Sequence, residues 1–348
     1  MNKGVFFIPI YKQNKPYYEI IDEVIQSTIN CEKNGMEEAF FGEHLTDRHE
    51  KISSSLMMIA SLAKLTKKIK LGSLTTNLNY YNPALVAGLI STVDNMTKGR
   101  LILGIGSGTN ATDIEALGLS EKNNYSIMLE TQEIIKKILN STDAVDIKSE
   151  NFIVSTKKNA NNELGLGFFN NLYKKRKDLE IVMPALNKNS KNVKLCAQKE
   201  WSIVISNFCS ESIIENHVEN YIENSLLDKK LALKKIKICR YIFVAETLKE
   251  AENLAFKEES PYMQAIQTLF KKLKTFNKHH CFGEGVNDHK VAAKNILLYG
   301  TPDTISKKMN EFKNKFGDFS SLINVSVPEA NNKYYDNSIE LFAKHVRI

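Results

Sequence analysis

Two rhythms of apolar and polar residues replace one another along this chain. Gly4 to Ile10 (GVFFIPI) is a short apolar run and reads as a strand. Tyr17 to Asn34 then carries Ile20, Ile21, Val24, Ile25 and Ile29 at helical spacing, and Gly35 follows as a stop. The exchange recurs. Ala39 to Gly42 reads as a second strand and Ser53 to Lys67 as a helix opened by serine. Ile69 to Thr75 is a third strand, and Asn82-Pro83 opens a helix with Asn as cap and Pro in its first turn. Leu101 to Ile105 is the fourth strand and Tyr125 to Leu139 a helix. Further strands are expected at Ile181–Ala185, Trp201–Ser206, Ile236–Ala245 and Leu322–Val327. Helices are expected at Ser190–Lys199, from Thr247, at Pro302–Phe316 and at Asn337–Val346.

Eight strands alternating with helices predict an α/β protein with a parallel sheet. Eight such units in one chain of 348 residues favour a closed (β/α)8 TIM barrel over an open sheet. No linker or longer repeat divides the chain, so residues 1–348 are expected to form a single domain. Two stretches exceed a minimal barrel. Asp143 to Asp178 is rich in Lys and Asn with weak periodicity, and 260–294 contains HHCFGEGVNDH. An insertion of the second kind reads as a lid over a binding site.

Composition narrows the function. With 43% hydrophobic and 25% charged residues the chain is globular, and no apolar run approaches the roughly 20 residues of a membrane span. The first residues carry no signal-peptide cleavage pattern. Five cysteines (31, 196, 209, 239, 281) are scattered, which suits a reducing cytoplasm and argues against a disulfide framework. The net charge is +7, but only five of the 47 basic residues are Arg and the lysines are dispersed. That distribution argues against nucleic acid as a partner.

The stretch RLILGIGSGTN (100–110) raises the question of what its glycines approach. A dinucleotide fingerprint needs its third glycine at Thr109, and the phosphate loop G-x-x-x-x-G-K-[ST] is absent. A tight turn without a ligand remains open on spacing alone. In a barrel, chemistry gathers where strands end. Those ends are Glu43-His44, Leu74-Thr75-Thr76-Asn77, Gly104 to Gly108, Leu186 to Ser190 and Ser206-Asn207. This rim has one imidazole and too few carboxylates for a metal site of His, Asp and Glu. His279, His280, Cys281 and His289 match no zinc spacing. His49 reads as loop surface.

FFGEHLTD, IKLGSLTTNLNYYNPALVAGLISTVDNMTKGRLILGIGSG and DIEALGL resemble the bacterial-luciferase-like flavin monooxygenases. The likeness is strongest over residues 1–140 and returns at YGTPDTISKKMNEF (299–312). It implies a (β/α)8 barrel that binds FMN, or a deazaflavin coenzyme, at its C-terminal mouth. It implies that His44 assists proton transfer at the flavin, a role its ordinary pKa near 6.5 suits. It places Glu43, Leu74, Thr75, Gly104, Gly106, Ser107 and Gly108 beside the flavin, with glycine leaving room for the ring. A phosphate is expected at the helix start after the fifth strand, on Lys188, Asn189 and Ser190. The likeness also implies a cis Leu74–Thr75 peptide and a homodimer through the apolar SLMMIASLA and ALVAGLI helices. Met57 and Met58 fall in the first of these as packing or interface residues. Asp94 and Arg100 are expected to form a structural pair.

Three departures stand out. Luciferase-type members carry phosphate-binding Arg near positions 107 and 126, and this chain has Ser107 and Ser126. The family's His before the helix proline is Asn82. The resemblance implies oxidation of a small apolar molecule by oxygen and reduced FMN, which a separate reductase supplies. A deazaflavin-dependent dehydrogenase and a non-catalytic flavin-binding barrel are the alternatives.

Overall fold

The computed structural model describes residues 1–8, 10, 14–119, 123–176, 178–275, 277–327 and 333–348. Pro9, in the first expected strand, and Phe276, in the expected lid, lie outside them. In chain order the elements begin β1 (Asn2–Phe7), α1 (Tyr17–Lys33), β2 (Glu38–Phe41), α2 (Ser55–Leu62), β3 (Lys70–Ser73), β4 (Thr76–Asn77), α3 (Pro83–Thr97), β5 (Leu101–Gly106), α4 (Ala111–Ala116) and α5 (Asn124–Leu139). They continue with β6 (Asp146–Lys148), β7 (Ile153–Ser155), β8 (Glu180–Ala185), α6 (Lys191–Lys199), β9 (Ser202–Ile205), α7 (Glu211–Asn224), α8 (Lys229–Leu233) and β10 (Ile236–Val244). The last are α9 (Leu248–Phe256), α10 (Pro261–Thr275), α11 (His289–Ile296), β11 (Leu297–Gly300), α12 (Pro302–Phe316), β12 (Ser321–Ser326) and α13 (Lys333–His345).

All eight expected strands form, as β1, β2, β3, β5, β8, β9, β10 and β12. Local chemistry sets several ends. Asn82 caps α3 by accepting from the Ala84 N–H at 2.9 Å, with Pro83 in the first turn. The helix expected at Ser53–Lys67 spans Ser55–Leu62; Ser54 caps its start by accepting from Met57 N, and Ala63 is its C-terminal cap. The third strand stops at Ser73 rather than Thr75, and the Leu74–Thr75 peptide that follows is cis. Thr76–Asn77 then resumes pairing as β4.

The described residues divide into two compact units. The first comprises Met1–Phe40, Arg48–Lys51 and Val182–Ile348. In it β1 pairs in parallel with β12, β12 with β10, β10 with β9 and β9 with β8. The unexpected β11 extends this sheet beside the C-terminal half of β10. Every residue of β10 is buried. Lys237 is 1% exposed and reaches Glu38 at 2.7 Å. Three residues on, and so on the opposite face of the strand, Arg240 lies against Phe312 of α12.

The second unit comprises Phe41–Asp47 and Ile52–Ile181. Here β3 and β4 both pair in parallel with β5, and α2, α3 and α5 pack around them. The Lys/Asn-rich stretch after α5 forms the hairpin β6–β7. One end of that stretch corrects an expected pair. Asp94 does not serve Arg100; its fully buried carboxylate binds Arg176 and accepts from Tyr173 N at 2.8 Å. Arg100 donates instead to the carbonyls of Ala63, Thr66, Ile69 and Thr97 and so pins the end of α2 to β5. Both residues are structural, as expected, but with different partners.

Candidate active site

In the second unit the cis Leu74–Thr75 peptide interrupts the ladder between β3 and β5. Ser73 bridges the gap: its hydroxyl donates to Gly104 O and accepts from Gly104 N, both at 2.9 Å. The glycines of 104–108 are explained by what lies over them. A Cβ on Gly104 would overlap the Ser73 carbonyl oxygen. One on Gly106 would strike the side chains of Thr75 and Asn77. Gly108 has φ +67° and faces the Tyr80 ring. The bare backbone therefore admits the chain's own cis turn and Tyr80, and this corrects the expectation that it leaves room for a ring system. Gly104→Ala should cost about 1–3 kcal/mol, because backbone rather than a movable side chain fills the space. Urea unfolding checks this, and a midpoint equal to that of the parent protein would refute it.

Glu43 and His44 follow β2. Glu43 is 5% exposed, and its two oxygens are occupied. Oε2 accepts from Ser55 N at 3.0 Å and Ser55 Oγ at 2.7 Å, while Oε1 accepts from Asn77 N at 2.9 Å. Glu43 thus ties the first turn of α2 to β4, beside the cis turn. Burial raises its pKa, against the lowering effect of these donors.

His44 is a quarter exposed, and its Nδ1 faces Asp113 Oδ2 at 3.6 Å. Asp113, in the first turn of α4, is fully buried. It accepts from Leu45 N at 3.2 Å, Thr46 N at 2.9 Å and Thr46 Oγ1 at 2.5 Å. Burial pushes its pKa up, but His44 and these donors outweigh it and hold the carboxyl at about 2. An ionised carboxylate therefore stands 3.6 Å from the imidazole, close enough to favour its protonated form. Leu74, Thr75, Ser107 and Gly108, just past β3 and β5, are partly exposed. The Tyr80 hydroxyl is buried without a hydrogen-bond partner among the described residues. Partly open backbone, one imidazole and a spare hydroxyl suit a planar, polar-edged ring such as a flavin.

Lys188, Asn189 and Ser190 lie in the first unit, just before α6. Asn189 has φ +58° and is held by α7: its N–H donates to Asn216 Oδ1 at 2.8 Å, and its Oδ1 accepts from Asn216 Nδ2 at 3.0 Å. Ser190 is the N-cap residue, and its side chain makes no capping bond. Its hydroxyl and the first N–H groups of α6 form a donor set that suits a phosphate.

Behind this loop His217 of α7 is fully buried. Burial lowers its pKa to about 4, only partly opposed by the Leu186 backbone. The unfolded imidazole takes a proton near pH 6.5. Between about pH 6.5 and 4, therefore, the unfolded chain holds the extra proton, and stability falls as pH falls through that window. His217→Leu should flatten this slope. Urea midpoints at pH 7 and pH 4.5 measure it, and an unchanged difference in the variant would refute the assignment.

Asp113 and Ser73 were not among the sequence candidates. Asp113 lies within the DIEALGL stretch, but nothing local marks a carboxylate 69 positions after a histidine as its partner. Among the described residues, no three His, Cys, Asp or Glu side chains group as metal ligands.

Three comparisons bear on this geometry. Residues 2–162 match the family described as luciferase-like monooxygenase. The chain is 24% identical to 2,5-diketocamphane 1,2-monooxygenase 1 of Pseudomonas putida, over 99% of this chain and 98% of that protein. Among solved structures it matches the oxygenating constituent of 3,6-diketocamphane monooxygenase from Pseudomonas putida, a type II Baeyer–Villiger monooxygenase in complex with FMN. The TM-score is 0.88 at 22% identity, with 99% of this chain and 97% of that one covered. An F420-dependent secondary alcohol dehydrogenase with an F420–acetone adduct matches at TM-score 0.69 and 16% identity, over 100% and 99% of the two chains. The expected (β/α)8 barrel is therefore the fold, and residues 2–162 carry the likeness to the luciferase-like monooxygenase family.

Proposed function

We propose that this protein is a flavin-dependent monooxygenase that uses reduced FMN and molecular oxygen to oxidise a small apolar organic substrate. The observation that carries the reading is the His44–Asp113 pair after β2, within the residues that match this family. Reduced FMN, when bound, supplies the electrons that activate oxygen. The protein positions and protonates. Asp113 holds the His44 ring with Nδ1 turned towards it, so Nε2 is the nitrogen that exchanges the proton. Glu43 and Ser73 act as positioning residues that fix the Leu74–Thr75 turn. Leu74, Thr75, Ser107 and Gly108 border the flavin, with Gly104 and Gly106 supporting them from beneath.

The flavin phosphate is assigned to Lys188, Asn189 and Ser190, supported by the uncapped start of α6 in that loop. Residues 1–348 act as one domain, with 260–294 as its lid. A separate reductase supplies the reduced flavin, and the protein works as a cytoplasmic homodimer. Met57, Leu85 and Leu89, exposed on α2 and α3, support that interface. Among the described residues, no helix is long and apolar enough to cross a membrane.

The names of the diketocamphane relatives make apolar cyclic ketones the first substrates to try. With reduced FMN, labelled oxygen and 2,5-diketocamphane or a related ketone, one labelled oxygen atom should enter the product. Oxygen uptake without labelled product across a panel of apolar ketones, alkenes and aldehydes would refute the monooxygenase reading. One observation favours a second reading, a deazaflavin-dependent dehydrogenase. Ser107 and Ser126 provide no cation for the FMN phosphate, and the Ser126 hydroxyl is turned to Asn123 O at 2.9 Å.

A further inference from the structure

Among the described residues Arg240 is the largest fully buried side chain, and it makes no ion pair with a carboxylate. Arginine stays charged when buried, so it needs an anion or a full set of acceptors. It has neither. Nη1 makes two weak bonds, to Cys239 O at 3.2 Å and Asn207 O at 3.5 Å, and Nη2 is buried with no partner among the described residues. The guanidinium lies 5.9 Å from the Phe312 ring, in the layer between the sheet and α12.

The segment it touches, from Asn207, runs directly into α7. The start of that helix is itself unsatisfied. Ser210 is the N-cap residue, yet its hydroxyl meets Ser212 Oγ at 3.0 Å instead of capping. The N–H groups of Ile213 and Ile214 bond to Ser210 O, while those of Glu211 and Ser212 find no acceptor among the described residues. The first residue of the helix, Glu211, holds a carboxylate that Arg240 senses, but Lys315 of α12 takes it at 2.8 Å. Lys315 is one turn from Phe312, so the Glu211–Lys315 pair closes the surface over the buried guanidinium.

We propose that the N-terminus of α7, with Arg240 beneath it and Lys315 beside it, binds a phosphate group. Two cations, two unused helix N–H groups and the Ser210 and Ser212 hydroxyls supply the donors that a tetrahedral dianion requires. Glu211 stands in for the anion at the rim. Phosphate displaces it and gives Arg240 its missing partner. Its residues differ from those assigned to the flavin phosphate, although both sets border α7, and the proposal does not depend on that assignment.

The test is the thermal midpoint of the full chain without flavin. It is titrated with inorganic phosphate and with glycerol 3-phosphate against sodium chloride at matched ionic strength. Phosphate should raise the midpoint and chloride should not. Glu211→Gln should tighten phosphate several-fold by removing the competing carboxylate, and Arg240→Met should weaken it by about tenfold or more. Equal effects of the two probes assign the site to free phosphate, and an effect of the ester alone assigns it to a phosphomonoester. Because Arg240→Met is a core change that can prevent folding, Lys315→Glu at the surface serves as the second variant and should also weaken binding. The proposal is overturned if neither probe shifts the midpoint. It is also overturned if the shift is the same in Glu211→Gln and Lys315→Glu as in the parent protein, because the phosphate then binds elsewhere.

Discussion

His44→Ala is expected to lower the rate of substrate oxidation by about 10²–10⁴-fold, the usual contribution of a positioned general acid or base. Flavin affinity should change little, because the imidazole is assigned a proton and not a share of the phosphate grip. Asp113→Asn separates orientation from proton transfer. The amide keeps the shape and can still meet the backbone N–H groups of Leu45 and Thr46, but it removes the charge behind Nδ1. With Asp113 held ionised down to about pH 2, the imidazolium is stabilised across the working range. Losing that charge should lower the pKa of His44 and move the corresponding limb of the pH–rate profile towards acid. The readout is kcat and KM across pH for both variants. A fall in rate for Asp113→Asn with an unmoved profile would assign Asp113 to folding alone.

The second large effect concerns stability. Lys237 and Glu38 are each about 1% exposed and meet at 2.7 Å. Lys237 also lies 3.5 Å from Ser321 Oγ, and Glu38 Oε2 is buried without a hydrogen-bond partner among the described residues. Breaking a buried pair leaves the surviving charge uncompensated, at about 3–5 kcal/mol. Lys237→Met should therefore be strongly destabilising. The double variant Lys237→Met, Glu38→Leu removes both charges and should recover most of the loss, since desolvation of the pair offsets much of its attraction. Urea unfolding of the two single variants and the double variant closes the cycle. If the double variant is as unstable as the sum of the singles, the two residues do not act as a pair.

This pair also shows where the sequence stopped being informative. In I-K-I-C-R-Y the lysine alternates with isoleucine as if it faced water, whereas the fold turns it inwards to a glutamate 199 positions away. The strands themselves were legible because each is a short apolar run bounded by caps and glycine. So were Asn82 as a cap and His44 at a strand end. The β6–β7 hairpin was not, because most of its residues are exposed and it lacks a clear apolar face. The glycines at 104–108 stand out in the sequence, but the reason for them does not. Their neighbours Ser73, Thr75 and Tyr80 approach from another strand and turn, and no local spacing encodes that. The Arg176 partner of Asp94 was hidden in the same way, 82 positions away in a stretch without periodicity.

The most direct test of the account is an anaerobic titration of the purified chain with reduced FMN and, separately, with a reduced deazaflavin, followed by admission of oxygen. Reduced FMN should bind saturably, and the complex should consume oxygen rapidly in a way that depends on substrate and is lost in His44→Ala. Binding of the deazaflavin alone, with no reaction with oxygen, would contradict this and make the protein a dehydrogenase built on the same barrel.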